Sequence, residues 1–78
     1  MKIKLKNLGK IYEAEGKTVM EALTKLKIEN PKGTGILTMI DGDKERVKIL
    51  KPFLLQGLSS KVSRMRKEIA ISQLNKLF

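Results

Sequence analysis

Seventy-eight residues with neither cysteine nor histidine exclude disulfides, thiolate nucleophiles, thiolate or imidazole metal ligands and the commonest general base. Stability has to come from packing, with or without oligomerisation, and 41% hydrophobic residues suffice for one small folded domain and argue against disorder throughout. The formal charge of +9 is unevenly placed: residues 1–45 carry nine cations and seven acids, residues 46–78 eight cations and one acid, Glu68.

KIKLK (Lys2–Lys6) alternates strictly, so Ile3 and Leu5 face one side and the lysines the other, as in a half-buried strand. Asn7, Leu8 and Gly9 supply a turn, and Lys10 to Glu15 returns as a second strand. GKIYEAEGKT, residues 9–18, invites comparison with a phosphate-binding P-loop. However, six residues separate Gly9 from Gly16 where four are needed, and Glu13 and Glu15 would repel a polyphosphate. Both glycines read as turn residues. Thr18, with Glu21 three positions later, reads as a capping box opening a helix that runs to about Ile28. Val19, Ala22, Leu23 and Leu26 give it an apolar face, Lys25 and Lys27 suit its C-terminal dipole, and Asn30-Pro31 stops it. A third strand opens near Ile36, Asp41-Gly42-Asp43 turns, and Arg46 to Lys51 returns as a fourth strand ended by Pro52. Asp41, Asp43 and Glu45 make a poor calcium loop, because Gly42 falls between the first two acids and no closing Glu follows. Thr34, Ser59, Ser60 and Ser63 have no histidine base to activate them.

Phe53, Leu54 and Leu55 are expected to cross under the sheet edge into the core, with a basic helix beginning near Ser59. On that helix Leu58, Val62, Met65 and Ile69 form a first apolar stripe, expected to pack inward, beside the basic residues Lys61, Arg64 and Lys67. Ala70, Leu74 and Leu77 lie about 100° round the wheel from it. Either the helix bends near Ile69–Ser72, or Leu74, Leu77 and Phe78 contact a second copy in a homodimer; intramolecular docking of these residues is the alternative. No apolar run approaches a membrane span, and the N-terminus lacks a signal-peptide core, so a cytoplasmic location is the default expectation.

KIKLKNLGKIYEAEGKTVMEALTKLKI resembles the opening of β-grasp, ubiquitin-like proteins, above all the small sulfur carriers and plant-type ferredoxin domains. The resemblance covers residues 1 to about 50. It rests on a hairpin leading into Gly16-Lys17-Thr18-Val19 and the leucine-rich Met20–Leu26. It implies the scaffold without its chemistry: Asn75-Lys76-Leu77-Phe78 stands where a sulfur carrier has Gly-Gly, and the cluster cysteines are missing. The expected fold is thus α+β: a β-grasp-like four-stranded sheet (β-β-α-β-β) with one packed helix over residues 1–56, and a C-terminal amphipathic basic helix over 57–78 in the same domain. In such a sheet the first strand lies beside the last. Lys2, Lys4, Lys6, Arg46 and Lys48 would then share the face opposite the helix, with Ile3, Leu5, Val47 and Ile49 inward.

Charge asymmetry points to a polyanionic partner, although a high charge also keeps small proteins soluble. The first expectation is a non-enzymatic module binding nucleic acid with weak sequence selectivity. The alternative is an adaptor or inhibitor of phage or mobile-element type that docks a basic face on an acidic protein surface. Candidate partner-binding residues are the strand cations Lys2, Lys4, Lys6, Arg46 and Lys48 and the helix cations Lys61, Arg64, Arg66 and Lys67. The helix is favoured because Arg46 to Lys67 contains no acid. Tyr12, Phe53 and Phe78 are too few aromatics for a base-stacking sheet. Neither a catalytic residue nor a metal, cofactor or small-molecule substrate is expected.

Overall fold

A computed structural model describes residues 1–77. It shows an α+β chain of four antiparallel strands and three helices among those residues: β1 (Lys2–Asn7), β2 (Lys10–Glu15), α1 (Val19–Lys25), β3 (Gly35–Asp41), β4 (Lys44–Leu50), α2 (Pro52–Gly57) and α3 (Arg64–Leu77).

Two tight hairpins build the sheet. Leu8 and Gly9, at φ 53° and 78°, join β1 to β2 as the paired left-handed residues of a type I′ turn. Gly42, at φ 59°, leads the two-residue turn between β3 and β4, the position at which a type II′ turn requires glycine. The hairpins then join through β1 and β3, giving the order β2-β1-β3-β4. The expectation of a first strand beside the last is therefore corrected. β1 is antiparallel to β3, and β4 is left as an edge.

Ile3, Leu5, Leu37 and Met39 cover the inner face and meet Ala22, Leu23 and Leu26. α1 starts where its capping residues dictate. Thr18 Oγ1 accepts the Glu21 N–H at 3.1 Å, while the Glu21 carboxylate accepts the Lys17 N–H at 3.2 Å. The helix ends at Lys25, earlier than the apolar period suggests, and Ile28 pairs instead with Ser59 in an isolated parallel bridge. Gly16 is not at a left-handed φ. A Cβ there would lie 2.8 Å from the Ala22 backbone nitrogen, so close approach to the helix, not a turn, calls for glycine.

The C-terminal segment departs most from expectation. Pro52 ends β4 and opens α2 at its first turn, where the missing N–H has no intrahelical partner to lose. Leu55 is fully buried and Leu54 packs against the core, whereas Phe53 stays 60% exposed. No continuous helix spans 57–77, and α3 begins at Arg64, not near Ser59. The reason is local. Ser60 N–H bonds the Ile28 carbonyl at 2.8 Å, and Ser59 Oγ donates to the Glu29 carbonyl while accepting the Lys61 N–H. These bonds tie the inter-helix turn to the segment after α1. Ser63 then caps α3, its hydroxyl accepting the Arg66 N–H at 3.2 Å.

Because α3 starts later and docks on α1 and α2, the second apolar stripe goes inward. Ala70, Ile71 and Leu74 are buried, whereas Met65 and Ile69 of the first stripe are exposed. α3 runs as one helix across Ile69–Ser72. Leu74 thus belongs to the intramolecular core, Leu77 is half exposed, and Phe78 lies outside the described residues. Among the described residues no helix is long and apolar enough to cross a membrane.

Candidate docking surface

All three helices lie on one side of the sheet, and the other side is open. Residues directly opposite in an antiparallel ladder share a face, so the register assigns each strand residue to a side. The hairpin closes with Asp41 opposite Lys44, which places Arg46 opposite Met39 and Lys48 opposite Leu37. Arg46 and Lys48 therefore lie on the helix side of the sheet, not with Lys2, Lys4 and Lys6. Val47 and Ile49 lie opposite Thr38 and Ile36 on the open side. This reverses the expected facing of the fourth strand. β4 is an edge that the helices barely cover, so its apolar alternation does not mark burial, and only Leu50 enters the core.

One open-face row runs Ile11, Lys6, Ile36, Ile49, and the next runs Glu13, Lys4, Thr38, Val47. Ile11, Val47 and Ile49 are 62%, 54% and 72% exposed, with Ile36 close behind. Solvated single apolar residues are ordinary, whereas adjacent branched ones such as Ile36, Ile49 and Val47 on an uncovered sheet face are the kind of surface that partners cover. The charges divide along this face. Glu13 bridges Lys2 and Lys4 at 3.5 and 3.8 Å, so two of the candidate strand cations are partly neutralised within the chain. Lys6 sits among the isoleucines.

The helix cations do not converge on one groove. Lys61 reaches the Asn30 side chain, and Arg64 pairs with Glu68 at 3.2 Å. Arg66 stacks its guanidinium over Phe53, 5.4 Å from the ring centre. Lys67 Nζ approaches the Thr24 and Leu26 carbonyls at the α1 C-terminus, where a cation complements the helix dipole. Lys67 therefore has a structural task, and Arg64 and Arg66 are already engaged within the chain. Arg64 and Lys67 do flank a shallow cleft of about 460 Å³ with Met20, Thr24 and Ile71.

Sequence reasoning missed Asn7, placed in a turn but buried at the end of β1. Its amide donates to the Lys32 and Thr34 carbonyls at 2.7 and 2.9 Å, and its Oδ1 accepts the Lys32 N–H. The latch is structural, holding the loop before β3. An Asn beside the Leu8-Gly9 turn carries no local signal of a partner 25 residues away. Among the described residues no three acidic side chains come together to hold a metal ion. The chain matches no known family model, curated protein or solved structure.

Proposed function

We propose that this protein is a non-enzymatic docking module whose open sheet face binds an acidic protein surface. One observation carries the reading: Ile11, Ile36, Val47 and Ile49 stand exposed on the uncovered face, with Lys6 between Ile11 and Ile36. Branched aliphatic side chains cannot stack on bases and gain little against hydrated phosphates, but they bury well against apolar groups of a protein. Lys6 and the charge of +9 favour a partner carrying acids around that apolar centre. The β-grasp resemblance enters only as a precedent for a helix-backed sheet used as a binding platform.

Nucleic acid is the second reading, supported by the excess of cations over residues 46–78. Affinity capture with nuclease treatment separates the two, using the parent chain, Ile36→Glu/Ile49→Glu and Arg64→Glu/Lys67→Glu. Protein docking predicts a nuclease-resistant bound protein that is lost with the isoleucine pair and kept with the cation pair. The nucleic-acid reading predicts the reverse. It also predicts a salt slope on duplex DNA that falls by roughly 0.9 for each phosphate contact removed.

A further inference from the structure

We infer that the partner of the open face adds to this sheet as an extended strand along the free edge of β4, and that this strand alternates acidic with branched apolar residues. The inference rests on the protein-docking reading above and specifies its geometry.

β4 pairs with β3 in unbroken register over all seven residues, without a bulge or an internal proline. Those two edge-blunting devices are absent, whereas a third is present: the charges of Lys44, Arg46 and Lys48 on the helix side, which oppose a cationic strand but not an acidic one. In a two-residue hairpin the closing pair exchanges both of its hydrogen bonds, and bonded pairs then alternate along the ladder. Lys44, Arg46, Lys48 and Leu50 accordingly bond inward to β3. The N–H and C=O groups of Glu45, Val47 and Ile49 point away from it. These outward main-chain groups belong to the residues whose side chains lie on the open face. An added strand would satisfy the donors and acceptors while its own apolar side chains extend the patch past Val47 and Ile49. On the helix side one of its alternate residues would stand beside Lys48, where an acid is favoured and a cation opposed.

Charge also decides between occupants. Two copies pairing β4 to β4 about Val47 would set Arg46 against Lys48 of the other copy twice, cation against cation. The opposite edge, β2, presents Glu13 and Glu15 on the open face, where the strand's apolar residues would lie, and Tyr12 and Ala14 on the helix side, where its acids would lie, so the same strand is disfavoured there. An acidic-apolar strand suits β4 alone.

The test is an NMR titration of the labelled full chain with a nine-residue peptide alternating Asp with Val or Ile, against a shuffled peptide of equal composition. Strand addition predicts that the Glu45, Val47 and Ile49 amides exchange about tenfold more slowly when nine-tenths of the protein is bound. Ile11 and Glu13 amides should stay unchanged. Lys48→Glu should weaken binding by about fivefold. Val47→Pro, which removes an outward donor and leaves the β3 ladder bonds in place, should abolish it. If Val47→Pro fails to fold, Lys48→Glu and the exchange pattern carry the test. Equal binding of both peptides, with Ile36 and Ile49 methyls shifted and β4 amide exchange unchanged, would overturn strand addition and leave open-face docking standing. Binding of neither peptide would overturn strand addition, and the capture experiment with Ile36→Glu/Ile49→Glu would then decide open-face docking alone. Concentration-dependent protection of β4 without peptide would replace the partner with a second copy.

Discussion

Leu8 is the one non-glycine among the described residues with a positive φ, and it is also 70% exposed. A left-handed conformation brings Cβ against the neighbouring peptide, at a cost of about 1–2 kcal/mol for an ordinary side chain. Little burial offsets that cost here. Asparagine tolerates this region and is a favoured first central residue of a type I′ turn. Leu8→Asn should therefore raise stability by about 1 kcal/mol, or roughly 4–8 °C in melting temperature for a domain of this size. Thermal denaturation followed by circular dichroism checks it. Gly9→Ala, at φ 78°, should move the other way. A fall in stability for Leu8→Asn would mean that the leucine makes a contact outweighing its backbone strain.

The packing of α2 on α3 depends on a small-residue contact that neither helix reveals alone. A Cβ on Gly57 would overlap the Ala70 Cβ, so the helices approach closely only because residue 57 has none. Gly57→Ala should cost about 1–3 kcal/mol through overpacking. Adding Ala70→Gly should return part of that loss, so a double-mutant cycle by urea denaturation would show a favourable coupling between the two sites. Additive losses would place the strain elsewhere. This contact illustrates which parts of the fold were legible. The hairpins, α1 and its cap could be read because their determinants are local: Leu8-Gly9, Gly42, Thr18 with Glu21, and the period of Ala22, Leu23 and Leu26. The order of the strands, the break before α3 and the facing of β4 could not. Each is set by partners distant in sequence: β1 against β3, Ser59 and Ser60 against Ile28 and Glu29, and a helix layer that stops short of β4. The candidate site followed suit. Lys4 and Lys6 lie on the open face as expected, but Arg46 and Lys48 change sides with one hairpin register, and Val47 and Ile49, expected inward, are exposed.

At the scale of the whole molecule, one side of the sheet holds the core and the other side is exposed. That division gives the last helix its role. α3 contributes Ala70, Ile71 and Leu74 to a core that would otherwise have only α1 and α2 over the sheet, and it docks against both of those helices. A small domain has little apolar burial to spare, so truncating one such residue consumes a large share of its stability. Leu74 is fully buried, and Leu74→Ala should cost about 2–5 kcal/mol, the range for a core leucine whose cavity closes only partly. An interface residue would behave differently. Its loss would lower the sedimentation coefficient, and the stability of the parent would rise with protein concentration, because association and folding would be linked. An intramolecular role predicts that the urea midpoint falls by the same amount at two concentrations a decade apart, with an unchanged sedimentation coefficient. A concentration-dependent midpoint in the parent, removed by Leu74→Ala, would instead return this helix to a contact between copies.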